Sequence, residues 1–152
     1  MKPKSIYTHP KRKSRMKRPE QNLQIGIMNY VRKIMQIENC SRFIAAHVPN
    51  GGHRTKSEAG IFKAMGVMAG FADIIVLVHP NEVHATPTAF FVEMKAKGGD
   101  MEESQIYFED RVTFMGFKYY LLEAEDQRDA LDQFMAIMKE NGVDISGTKV
   151  CI

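Results

Sequence analysis

Two nearly continuous apolar runs, FADIIVLVH at residues 71–79 and AFFVEMKA at 89–96, constrain this chain more than any other feature. Bounded by Gly70 and by Pro80, Asn81 and Pro87, they predict central strands covered on both faces. Charge interrupts each run: Asp73 in the first, Glu93 and Lys95 in the second. Side chains on a strand alternate between faces, so Glu93 and Lys95 share one side. A carboxylate and an ammonium buried mid-sheet are costly unless they are paired or bind an ion. If the two strands are antiparallel neighbours, the start of one lies beside the end of the other, and Asp73 meets Glu93 and Lys95.

The remaining segments supply layers for such a sheet. Pro19 suits the first turn of a helix, and Ile27, Val31 and Ile34, flanked by Leu23 and Tyr30, predict an amphipathic helix over 20–37. Glu20 and Gln24 sit on that same stripe. A short strand is expected at 43–48, then a Pro49-Asn50-Gly51-Gly52 turn and a short helical or irregular stretch over about 57–65. After Gly98-Gly99-Asp100 a helix is expected from 101 or 102 to 115. Its inward stripe is Met101, Gln105, Phe108, Val112 and Met115, and Gly116 stops it. A strand over 118–123 and a helix over 126–141, with Ala130, Phe134 and Ile137 inward, complete the chain. The order α-β-(α)-β-β-α-β-α predicts an α/β domain with a small mixed sheet flanked by helices.

Length and charge divide the 152 residues into two parts. Residues 1–18 carry eight Lys and Arg and no acid, leaving 13 of the 21 basic residues against all 18 acids, so residues 19–152 sum to −5. We read 1–18 as a basic, flexible N-terminal arm and 19–152 as a single domain. The arm suits a phosphate backbone, where displaced counterions give affinity without sequence choice; the plainer alternative is a solvated tail. No apolar run approaches membrane-spanning length and no secretory signal is evident. Cys40 and Cys151 have no metal-ligand spacing. An intracellular, cytoplasmic protein is expected.

Two carboxylates and a lysine make a site for a hard cation with a base attached. Mg²⁺ takes oxygen ligands and keeps several waters, so Asp73, Glu93 and the backbone carbonyl of Met94 between Glu93 and Lys95 would suffice. Such an ion acidifies a bound water and neutralises charge developing on a phosphoryl group. Lys95 could position that water or take its proton. A buried structural ion pair explains Asp…Glu-x-Lys equally well on spacing alone. Glu20, Gln24 and Gln105, polar residues on otherwise core-facing stripes, favour a site.

The segments VPNGGHRTKSEAGIFKAMGVMAGFADIIVLV and AFFVEMKAKGGDMEESQIYFEDRVTFMGFKYYLL resemble the VRR-NUC domain, a branch of the PD-(D/E)XK nuclease superfamily. The resemblance runs from about Pro19 to Phe134. It takes in the Pro-Asn-Gly-Gly turn, the Gly-x-x-Asp strand entry at Gly70 to Asp73, the Glu-x-Lys strand and the helix start Glu103-Ser104-Gln105. It implies a restriction-endonuclease-like α-β-β-β-α-β core and cleavage of phosphodiester bonds with Mg²⁺ or Mn²⁺. Carried over by position, Asp73 and Glu93 are metal ligands and Lys95 is the catalytic lysine. Glu20 is the acid of the first helix, bound to metal directly or through water. Gln105 holds the lysine or a substrate phosphate. Ala72 stands where the superfamily name records proline, a turn position that carries no ligand. Stand-alone relatives, many of them bacteriophage proteins, imply a homodimer that cuts branched DNA such as four-way junctions.

Lesser candidates each have a bland alternative. His53, Arg54 and Lys56 after the glycine turn, and Lys97 beyond Lys95, could meet DNA phosphates or simply be solvated. His79 and His84 flank a loop and could in principle bind zinc, though spacing alone argues little for it. Tyr119 and Tyr120 read as packing. Three functions remain open on sequence: a structure-selective DNA endonuclease, an exonuclease or flap nuclease using the same residues, and a non-catalytic DNA-binding module on the same fold.

Overall fold

A computed structural model describes residues 19–38, 41–49 and 55–147. The basic arm, Cys40, Cys151, His53, Arg54 and the Asn50-Gly51-Gly52 portion of the turn lie outside these residues. The elements in order are α1 (Pro19–Ile37), β1 (Phe43–His47), α2 (Lys56–Ala64), β2 (Ile74–Val78), β3 (Thr88–Ala96), α3 (Glu103–Phe114), β4 (Lys118–Ala124) and α4 (Gln127–Glu140). This is the expected α/β order, with α2 inserted between the first two strands. The four strands form one mixed sheet in the order β1-β2-β3-β4.

Pairing explains the mixture. β1–β2 and β2–β3 are antiparallel, whereas β3 and β4 are parallel and joined through α3. A parallel pair needs such a crossover because the chain must return to the same end of the sheet. The β2–β3 register sets Ile74 opposite Val92 and Val78 opposite Thr88. Asp73, one residue before β2, therefore stands beside Glu93.

One face of the sheet is closed by α1 and α4. Leu23, Ile27, Val31 and Ile34 of α1 and Ala130, Phe134 and Met138 of α4 bury against Ile74, Val76, Phe90, Val92, Met94 and Leu122. The stripes read from the sequence are those buried here, with Met138 added and Ile137 at the margin. Asp126 caps α4 by accepting from the N–H groups of Arg128 and Asp129 at 2.9 Å each.

The other face departs from expectation. Helix α3 covers it through Phe108 and Val112, which pack with Phe71, Phe91 and Tyr119. Ring centroids of Phe71–Phe108 and Phe91–Phe108 are 4.4 and 5.3 Å apart. Over β1 and the far end of β2 the same face is open, and Leu77 is 47% exposed. The apolar runs therefore do not mark strands covered on both faces throughout: a helix of 12 residues cannot shield four strands. Met115, expected inward, is the C-cap of α3 and is 63% exposed. The helix ends one residue before it, so it leaves the inward stripe.

Gly70 ties the two layers together. Its φ is +76°, and a Cβ there would overlap the Ser104 carbonyl at the start of α3. Only glycine permits both this backbone conformation and this approach. Gly66 also has a positive φ, +88°, but has open space around it. Gly66→Ala is expected to cost about 1 kcal/mol of stability from its backbone conformation alone. Gly70→Ala should cost at least about 2 kcal/mol more, because the turn or α3 must also shift. Urea denaturation of both variants checks the difference.

Candidate active site

The candidate side chains Asp73, Glu93 and Lys95 gather at the end of the sheet where β2 begins and β3 finishes. Glu93 and Lys95 point to the α3 face and are 2% and 7% exposed. Lys95 Nζ lies 3.5 Å from Glu93 Oε1. The Gln105 side-chain amide donates to that same Oε1. Gln105 is held in turn: its Oε1 accepts the Glu102 N–H at 2.8 Å, which turns its NH₂ toward Glu93. The resemblance implies that Gln105 holds the lysine or a phosphate; here its side chain orients the glutamate.

Asp73 approaches from β2. Its Oδ2 accepts the Met94 N–H at 2.9 Å, which fixes the carboxylate between Glu93 and Lys95 along β3. Glu20, on the first turn of α1, reaches the same place from the opposite layer. A Cβ on Gly99 would sit 3.4 Å from Glu20 Oε1 and 3.5 Å from Lys95 Cδ. Glu20 is exposed and Gln24 half-buried, so the acid overhangs the sheet edge instead of entering the core.

The carboxylates are electrostatically frustrated. Burial pushes the Glu93 pKa up to about 7, helped by the charge of Asp73 and opposed by Lys95. Burial also raises that of Asp73, against the Met94 N–H bond and the charges of His47 and Lys95. Glu93 Oε2 is buried with no hydrogen-bond partner among the described residues. Two facing acids with an unsatisfied oxygen form the donor set that a hard divalent cation satisfies. Among the described residues no three His, Cys, Asp or Glu side chains converge into a ready-made cage. The set therefore fits an ion that retains water and accepts a backbone carbonyl, such as Mg²⁺ or Mn²⁺, better than a zinc centre built from four side chains. Met94 and Glu20 are the groups at hand to complete it.

His47 escaped the sequence reading. Its Nδ1 lies 2.8 Å from the Asp73 carbonyl oxygen, which also accepts the Val48 N–H at 2.9 Å. A carbonyl only accepts, so Nδ1 carries the proton. A histidine at the end of an edge strand gives no signal of this contact until the strand order is known. Of the weaker candidates, Lys56 is exposed on α2 and Lys97 is exposed beyond the end of β3, paired with Glu125. Lys97 lies near Glu123 and Asp129 as well. His84 Nε2 faces Asn141 Oδ1 at 3.1 Å, and Asn141 Nδ2 donates to Tyr120 and Ile137. The imidazole thus donates at Nε2 and offers no lone pair there to zinc.

No protein-family model and no curated protein matches the chain. Among solved structures, a VRR_NUC domain protein matches with a TM-score of 0.52 at 16% identity, covering 83% of this chain and 95% of that one. This chain has the fold of that VRR_NUC domain protein. At such identity what is shared is the path of the backbone, and the match extends over nearly the whole of the other chain. No helix among the described residues is long and apolar enough to cross a membrane.

The raised Glu93 pKa makes stability depend on pH in the metal-free protein. Below the ordinary value of 4.5 the folded and unfolded chains both hold the proton. Between 4.5 and about 7 only the unfolded chain releases it, so stability falls as pH rises through that window and levels off above it. With chelator present at pH 8, Glu93→Gln is therefore expected to melt higher than wild type, by at most roughly 3 kcal/mol. The gain should shrink toward zero as the pH is lowered to the bottom of the window. Thermal melts across this range measure it.

Proposed function

We propose that the protein is a divalent-metal-dependent deoxyribonuclease, acting as a structure-selective endonuclease on branched DNA such as four-way junctions. The observation that carries this reading is Asp73 set beside Glu93 and Lys95 at one sheet end, with a buried carboxylate oxygen that has no partner among the described residues. The VRR-NUC-like sequence segments and the fold shared with a VRR_NUC domain protein support it.

Asp73, Glu93 and the Met94 carbonyl would hold Mg²⁺ or Mn²⁺, with Glu20 binding it through water. When bound, the ion supplies an acidified water and neutralises charge at the phosphoryl group. Lys95 stands beside Glu93 to orient the attacking water or accept its proton. Gln105 keeps the Glu93 carboxylate turned into the site, so that its geometry is set before substrate arrives. Arg54, Lys56 and Lys97 are the cations proposed to meet flanking phosphates. Lys97 must give up Glu125 to do so, an exposed pair that costs little to break. The basic arm adds affinity that falls steeply with salt.

A homodimer carrying two sites would suit paired cuts across a symmetric junction. The exposed Ile61, Met65 and Met68 in and after α2 are compatible with such an interface. Action on DNA is in keeping with the cytoplasmic location expected from the sequence.

Asp73→Ala is expected to slow cleavage about a thousandfold, the loss of several kcal/mol of transition-state stabilisation, while folding and DNA binding persist. The measurement is a panel of end-labelled linear duplex, single strand, flap and four-way junction incubated with Mg²⁺, Mn²⁺ or chelator. Junction-selective, metal-dependent cutting is the expected result. Progressive shortening from ends would make it an exonuclease. Salt-sensitive binding without any product would leave a DNA-binding module.

A further inference from the structure

Tyr119 and Tyr120 are adjacent in β4 and have opposite circumstances. Tyr120 faces α4, donates to Glu140 Oε1 at 2.9 Å and accepts from Asn141 Nδ2 at 2.9 Å. The hydroxyl of Tyr119 is buried on the α3 face and has no partner among the described residues. Phenylalanine would fill that space without stranding a donor.

The register shows what lies near it. Tyr119 is opposite Phe91 and Leu121 is opposite Glu93, so Tyr119 and Glu93 are diagonal neighbours on one face of adjoining strands. Diagonal neighbours are within reach of an aromatic side chain. The Tyr119 ring packs on Phe108 of α3, the helix that also sends Gln105 to Glu93. A phenol hydroxyl is a hydrogen-bond donor, and the acids around this one are Glu93, Glu109 and Asp73. Glu109 is half-exposed and open to water. Glu93 Oε2 is the other stranded side-chain atom among the described residues, and it is an acceptor.

We propose that Tyr119 is a positioning residue of the metal site, its hydroxyl linked to Glu93 Oε2 through one bridging water and so holding that carboxylate aimed at the cation. An oxygen with two lone pairs can accept this bond and coordinate at the same time. The inference rests on the reading of Glu93 as a metal ligand.

The test is calorimetric titration of Mn²⁺ into the full-length wild type, Tyr119→Phe and Tyr120→Phe, with a metal-free melt of each. Tyr119→Phe should melt no lower than wild type yet bind Mn²⁺ about tenfold more weakly, the scale of a hydrogen bond to a charged group. Tyr120→Phe should melt lower and bind Mn²⁺ as wild type does. Equal Mn²⁺ affinity in Tyr119→Phe and wild type would overturn the proposal. Failure of Tyr119→Phe to fold would overturn it too, since the hydroxyl would then be structural. If the wild type itself takes up no Mn²⁺, the nuclease reading falls and this inference with it.

Discussion

The antiparallel pairing of β2 with β3 is the constraint on which everything else depends. It sets Ile74 against Val92, so that the residue before one strand meets the residue after the other's centre. The Met94 N–H then bonds to the Asp73 side chain. A one-residue slip in this register would turn Glu93 and Lys95 into the layer beneath α1 and α4, among Ile27, Val76 and Phe134, where nothing could satisfy them. The apolar face of the sheet and the charged cluster therefore select the same register. The fold and the site are specified by one set of contacts.

The cluster itself is a liability that the rest of the molecule offsets. Burial raises the pKa of both acids, the charge of Asp73 adds to the rise at Glu93, and one lysine answers both. Gln105 and the Met94 N–H supply oriented dipoles, but an acceptor remains unmatched. Structures concentrate such unsatisfied polarity where a ligand will complete it. The core beneath, closed by α1 and α4 over the opposite face, holds the strands in place despite that local cost.

Much of this was legible in the residues themselves. Apolar spacing and the turn residues between runs located the four strands and α1, α3 and α4 to within a few positions. They left α2 open between helix and irregular chain. The charges inside the apolar runs marked the site, since burial makes a charge conspicuous. Less visible was anything that depends on which elements touch. Spacing could not tell that α3 leaves Leu77 uncovered, or that Glu20 hangs over the sheet edge while Leu23, three residues on, is buried. His47 was passed over for the same reason: it gains its significance from the Asp73 carbonyl beside the neighbouring strand. Gly70 was recognised as the entry to a strand, yet its close approach to Ser104 is a backbone contact that no side chain announces.

Helix α2 carries a different lesson. None of its nine residues is buried, and its start is held by a reciprocal cap in which Thr55 accepts from the Glu58 N–H while the Glu58 carboxylate accepts from the Thr55 N–H. A segment secured by its own ends and not by the core can open and re-form without disturbing the sheet. What fixes its position is therefore its cap and its few side-chain contacts, with no share of the core to anchor it.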